Sequence, residues 1–240
     1  MRYWSFIKNA ATETLPESVE LRIEGDIVSD DDVWMYEMCG MTATTPNAFK
    51  DELTKFSGQD LTVWIDSYGG DIFAAAGIYN ALMEHKGAVT VKIDGKAMSA
   101  ASVIAMAGDS IEMSPVALMM IHDPLTYAEG YASDLRKVAD ILDTVKKSIM
   151  NAYQLKTGIS RTKISQMMDD ETYMDAKSAI SNGFADKMMY SKDTADVMNF
   201  AFSRHAIMNC EKNSMNRLLA LKKPPDSTIA RALLALQLEL

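Results

Sequence analysis

Ser99 and His122 are the two side chains whose types and settings could carry nucleophilic chemistry. Ser99 stands among small residues in the run GKAMSAASVIAMAG (residues 95–108), and His122 follows the apolar run ALMMI (residues 117–121). A serine hydroxyl is a weak nucleophile until a neighbouring base takes its proton, and imidazole is the side chain best poised to do so near neutral pH. With a carboxylate to orient the imidazole, such a set attacks a carbonyl carbon, and the oxyanion that forms needs fixed hydrogen-bond donors. Carboxylates follow in chain order at Asp169, Asp170 and Glu171, although on composition alone they read as a solvated acidic loop. The order serine, histidine, acid, and the flanking A-M-S-A-A where a G-x-S-x-G elbow would be needed, argue against an α/β-hydrolase.

The elements that must position these groups follow from periodicity. Residues 88–93 (AVTVKI) predict a strand, Asp94 and Gly95 a turn, and residues 98–108 an apolar helix. Ser99 therefore sits at a strand-to-helix turn, beside the unpaired N–H groups of the first helical turn. The plain alternative is a helix N-cap, a position that favours serine whatever the function. Upstream, residues 61–65 (LTVWI) predict a strand running into a turn at residues 66–71, which holds Gly69 and Gly70, and residues 73–84 predict a helix. Paired glycines permit positive φ and close backbone approach, as an oxyanion donor or an extended peptide requires. His122 is delivered at the C-terminal end of a buried strand, where the sites of α/β folds collect.

The runs IDSYGGD (residues 65–71), GKAMSAASVIAMAG, LMMIHDP (residues 118–124) and ETYMDAKSAISNGFAD (residues 171–186) together resemble the Clp protease proteolytic subunit family, and within it the phage head maturation (prohead) proteases. The resemblance spans residues 19–189, with the motifs in family order. It implies an α/β, ClpP/crotonase-like fold of stacked β-α units with a protruding handle helix. It also implies a serine endopeptidase without cofactor or metal, with Ser99 as nucleophile and His122 as general base. Gly70 and Ala100 match the oxyanion-hole positions, and Gly69, Asp71, Ile72 and Leu125 the substrate-binding ones. An ungapped match over residues 173–176 puts Glu171 at the triad acid, where the family has aspartate, with Asp170 as the substitute. Asp66, Tyr68 and Met98 depart from the family's common Asn, Pro and Ala.

The implied partners are a polypeptide substrate, capsid or scaffold protein, and further copies of the chain in one ring or in stacked rings. An ATPase unfoldase partner belongs to an alternative in which the chain is a regulated Clp-type subunit, and a catalytically inactive ring-forming scaffold is a third possibility.

Composition bounds the remaining classes. The chain has 240 residues, 48% hydrophobic and 24% charged, enough for one cored domain with appendages. A net charge of −9 argues against sequence-independent nucleic-acid binding. Cys39 and Cys210 make no disulfide framework, and no apolar run reaches a membrane span, so a cytoplasmic protein is expected, in the host cytoplasm or an assembling prohead.

The expected organisation is an N-terminal arm over residues 1–18, a protease domain over 19–190 and a helical extension over 191–240. VELRI (residues 19–23) alternates as a half-exposed strand that turns at Gly25 and Asp26. Residues 131–155 predict a long amphipathic helix, either packed on its own domain or acting as the handle between rings. Residues 125–131 are expected as a strand beside the cleft to which substrate adds. The leucine-rich helix over 228–240 suits a partner subunit or the chain's own domain equally.

Overall fold

Three segments, VELRI, LTVWI and VTVKI, alternate apolar and polar residues, so each strand must bury one face and leave the other to polar partners. The computed structural model, which describes residues 6–9, 18–41 and 43–190, realises that pattern in β2 (Ser18–Ile27), β4 (Leu61–Gly70) and β5 (Val89–Met98). They pair in parallel, with Leu21 opposite Val63 and Val63 opposite Val91, and these residues are fully buried. On the other face Arg22, Trp64 and Lys92 line up across the strands, each cation 5.1 Å from the indole centroid. Trp64 donates its indole N–H to Glu20, and Arg22 pairs with Glu24 and Asp94, so the polar face is bonded within itself.

Helices close the apolar face. After α1 (Val33–Met38) and the short β3 (Ala43–Thr44), α2 (Pro46–Leu53) begins with Thr45 as N-cap and proline in its first turn, and buries Phe49 and Leu53. Next come α3 (Ile72–Met83), whose N-cap Asp71 accepts from the Ala74 N–H, and α4 (Ala100–Ala105), every residue of which is buried. The chain continues through β6 (Ser110–Met113), β7 (Leu118–Ile121), α5 (Ala132–Thr157), α6 (Arg161–Asp169), β8 (Thr172–Asp175), α7 (Ala176–Ser181) and β9 (Lys187–Met188). This is the expected α/β stack of strand-helix units. Among the described residues no helix is long and apolar enough to cross a membrane.

Several expected turns are instead irregularities within continuing strands. Asp94 and Gly95 do not end β5: the strand pairs with β6 over Thr90–Ile93 and with β7 over Lys96–Met98, and the dipeptide between is where it changes neighbour. A side chain at Gly95 would lie 2.5 Å from the Asp66 carboxylate, so glycine permits the crossing. Asp66 likewise does not open a turn, because β4 runs on to Gly70. Gly25, at φ +76, is a bulge in β2 and not its end. Of the N-terminal arm, Phe6–Asn9 form β1, antiparallel to β2. The expected extension over residues 191–240 lies outside the described residues.

The long helix runs two residues past the end that the apolar periodicity marks, and its buried residues lie in its C-terminal part. Ile149, Met150, Ala152 and Tyr153 are buried, whereas Leu135 and Ile141 from the same periodic set are exposed. Residues 125–131 are not a strand: they run exposed and irregular, because no described strand lies beside them to form a ladder. Where α5 meets the domain, the fully buried Phe184 lies 5.6 Å from the Tyr153 ring between centroids. Phe184→Ala should lower stability by about 3–5 kcal/mol, read by urea unfolding followed by circular dichroism.

Candidate active site

The nucleophile candidate is held in a conformation that serine does not choose by itself. Ser99, between β5 and α4, has φ +52 and ψ −125, a region that costs a non-glycine residue about 1–3 kcal/mol. Three contacts impose it. The Ser99 N–H donates to the Met120 carbonyl at 2.9 Å, tying the turn to β7. The Ser99 carbonyl accepts from the Ser102 N–H at 3.0 Å and from the Ser102 hydroxyl at 2.6 Å. Ser102 has then spent its one hydroxyl proton, so the Tyr153 hydroxyl, 2.8 Å away, must be the donor to Ser102 Oγ. Burial pushes the Tyr153 phenol well above its ordinary pKa, against the smaller opposing effect of the Ser102 hydrogen bond, which keeps it a donor. A chain of hydroxyls thus runs from α5 to the backbone of Ser99.

His122 reaches Ser99 through strand pairing. β7 lies parallel to β5, with Met120 opposite Met98, so the residues just past the two strand ends are neighbours. His122 Nε2 is 2.7 Å from Ser99 Oγ. With the imidazole hydrogen on Nδ1, the hydroxyl donates to Nε2, the arrangement from which a base removes a proton.

Facing this pair is the glycine-bearing end of β4. A Cβ at Gly69, φ +102, would lie 2.6 Å from the Met98 carbonyl, 2.8 Å from Ser99 Cβ and 2.9 Å from the Ala100 nitrogen. A Cβ at Gly70, φ +143, would lie 2.1 Å from the Ile27 carbonyl oxygen. The end of β4 at Gly69 and the backbone of Ser99 and Ala100 are therefore pressed together. Buried Ser67 pins this end of β4, donating to the Gly25 carbonyl at 2.6 Å and accepting from the Gly69 N–H at 3.0 Å. The Asp71 N–H donates to the Ile27 carbonyl at 2.7 Å. Of the proposed substrate contacts, Gly69 is buried, Asp71 exposed, Ile72 half-buried and Leu125 66% exposed on the irregular segment.

The candidate acid is placed by an antiparallel pair. β7 and β8 set Ile121 opposite Thr172, and one further step of that register puts residue 171 across from residue 122. Glu171 sits there at φ +46, its exposed carboxylate making no hydrogen bond or ion pair with a described residue. Asp170 is the exposed C-cap of α6. Asp169 is engaged elsewhere: it pairs with Lys146 of α5, which also lies 2.9 Å from Asp123. The Lys146 ammonium is the largest cause holding the Asp169 carboxyl below the usual carboxylate range, against the smaller opposing effect of burial.

Ser67, Ser102, Tyr153 and Lys146 are the residues that sequence reasoning missed. Ser102 carried a faint signal, as the one hydroxyl in an otherwise apolar six-residue helix. Among the described residues, no three His, Cys, Asp or Glu are placed to hold a metal ion.

Comparison with known proteins gives a consistent picture. Residues 52–192, more than half of the chain, match the Clp protease family. The chain is 31% identical over 137 residues to the ATP-dependent Clp protease proteolytic subunit of Bacteroides fragilis, covering 56% of this chain and 66% of that one. The subunit of the same name from Porphyromonas gingivalis is 31% identical over 134 residues, covering 55% and 60%. That of Carsonella ruddii is 29% identical over 138 residues, covering 57% and 71%. The chain thus spans slightly less than two thirds of the first two relatives.

The hydroxyl chain has a measurable asymmetry. Ser102→Ala leaves the buried Tyr153 donor unpaired and should cost about 1–3 kcal/mol, more than Tyr153→Phe, which leaves Ser102 bonded to the Ser99 carbonyl. The double variant should cost less than the sum of the two, as measured by a double-mutant cycle of urea midpoints.

Proposed function

The chain belongs to the Clp protease family, and from that premise we propose that it is a serine endopeptidase using Ser99 as nucleophile and His122 as general base. The observation that carries the reading is the 2.7 Å contact between His122 Nε2 and Ser99 Oγ, at a strained turn pressed against the Gly69–Gly70 backbone. His122 takes the hydroxyl proton as Ser99 Oγ adds to the peptide carbonyl. The backbone N–H groups of Gly70 and Ala100 hold the oxyanion, and the imidazolium returns its proton to the leaving amine. Water then releases the acyl group by the same base. Glu171 is the acid in this scheme. The register across β7 and β8 supports that assignment, and its carboxylate swings onto the imidazole when substrate or a neighbouring subunit closes the exposed edge.

Assembly into rings of identical copies belongs to the same proposal. Leu125, Tyr127, Tyr131, Leu135 and Ile141 are exposed apolar side chains on the N-terminal half of α5 and the segment before it, which another copy would cover. The substrate we propose is capsid or scaffold protein, trimmed without an ATPase during head maturation, because the motif wording resembles the phage branch. Regulated proteolysis with an unfoldase is the second reading, favoured by the names of the relatives.

Labelling with a fluorophosphonate serine probe, located by mass spectrometry, should modify Ser99 in the wild type and nothing at that site in Ser99→Ala. His122→Ala should lower peptidase kcat by about 10⁶-fold. An unlabelled, folded wild type would move the inactive scaffold reading to first place. Degradation of a folded capsid-type substrate in the absence of any ATPase separates the head-maturation reading from the unfoldase-dependent one. For the acid, Glu171→Gln should cost far more activity than Asp170→Asn in steady-state peptide hydrolysis; the opposite ranking would move the acid by one position.

A further inference from the structure

One cation joins the two segments whose spacing the chemistry needs. Lys146 projects from α5 with its side chain only 15% exposed, and its ammonium lies 2.9 Å from Asp123 Oδ1 and 3.1 Å from Oδ2. It also donates to Asp169. Asp123 follows His122 directly, and Asp169 ends α6, two residues before Glu171. The two carboxyl groups meet at the same ammonium, Lys146 Nζ, and so lie close to each other. Two carboxylates so close repel unless a cation lies between them. Within the described residues, Lys146 is the only cation that pairs with either one.

Resting on the peptidase reading above, we propose that Lys146 is a positioning residue of the active site: by bridging Asp123 and Asp169 it sets the distance between the His122 loop and the turn that carries the acid. It touches no reacting atom. Its effect is geometric and electrostatic. Residues 122–130 have no ladder of their own, and the Glu171 side chain has no bond to a described residue, so the ends of β7 and β8 would drift apart past Ile121 and Thr172 without the bridge. The ionisable groups on the elements that meet at His122 are Asp123 on its own loop, Lys146 from α5, Asp169 at the end of α6, and Asp170 and Glu171 between α6 and β8. Loss of the ammonium removes a positive charge from this set and leaves the carboxylates uncompensated, which favours the protonated imidazole.

The test compares the full-length wild type with Lys146→Met, Lys146→Arg, Lys146→Met/Asp169→Asn and, as a control on the same helix, Lys147→Met. Hydrogen exchange followed by mass spectrometry reads the clamp without relying on activity. In Lys146→Met, the peptides covering residues 121–124 and 169–172 should both exchange faster while the β2–β4–β5 core does not change. Lys146→Arg and Lys147→Met should match the wild type, and the double variant should fall between. Fluorophosphonate labelling of Ser99 should slow about 10- to 100-fold in Lys146→Met, the scale of a small misplacement of reacting groups. In peptide hydrolysis the loss should appear in kcat more than in KM, and the acid limb of kcat/KM should move to higher pH. Unchanged exchange at both loops in Lys146→Met overturns the proposal whatever the activity. Faster exchange in that variant, with a wild-type Ser99 inert to the probe, sustains the clamp and overturns the peptidase reading instead.

Discussion

No side chain fits where the backbone at Gly69 meets the backbone at Ser99 and Ala100, and none fits where Gly70 meets the Ile27 carbonyl. That double close approach is the constraint around which the rest of the molecule is arranged. Parallel pairing brings the C-terminal ends of β2, β4 and β5 to one edge of the sheet, and the chain must leave all three there without colliding. Glycine at positions 69 and 70 lets β4 pass between its neighbours and turn into α3. The cost of the positive φ at Ser99 falls on a residue that cannot relax, because α4 behind it is buried along its whole length and β7 holds its amide. Strain is stored at the residue whose hydroxyl meets His122, and the sheet supplies the stiffness that keeps it there.

α5 unites two roles that its sequence does not separate. Its N-terminal half exposes apolar residues, while its last turns bury Tyr153 beside Phe184 and extend polar contacts to the site. Lys146 and Tyr153 are seven residues apart, hence on one side of the helix two turns from each other. One reaches the segments after β7 and before β8, the other the turn after β5. The same helix is therefore bonded to the segments that carry Ser99, His122 and Glu171. Displacement of its packed end would be felt at each of them, through short hydrogen bonds and not through a long relay.

Most of the fold and half of the site were legible in the chain. β2, β4 and β5 could be read because a parallel sheet with one open face keeps a period of two, and α5 because its apolar residues keep a period of 3.6, although only the later ones are buried. The missing strands have a physical reason as well. β6, β8 and β9 are two to four residues long, too short for any period to declare itself, and exist because neighbours already in place offer them hydrogen bonds. The dipeptides Gly25–Asp26 and Asp94–Gly95 look like turns because glycine and aspartate favour turns. They became a bulge and a change of strand partner because the chain on either side still had a neighbour to pair with.

The sequence by itself determined which groups this protein brings to chemistry and the order in which they arrive. A serine among small residues before an apolar helix, a histidine after a buried strand and a cluster of acids are properties of local composition. What only the tertiary structure decided is which of those groups meet. The 2.7 Å approach of His122 to Ser99 depends on β7 choosing β5 as its neighbour, and the facing of residues 122 and 171 depends on a four-residue antiparallel pair. Lys146 read as one charge among several on a solvated helix flank, yet it lies between two carboxylates far away in sequence. Periodicity records which face of an element is buried, and register and ion pairing depend on where the other elements stop.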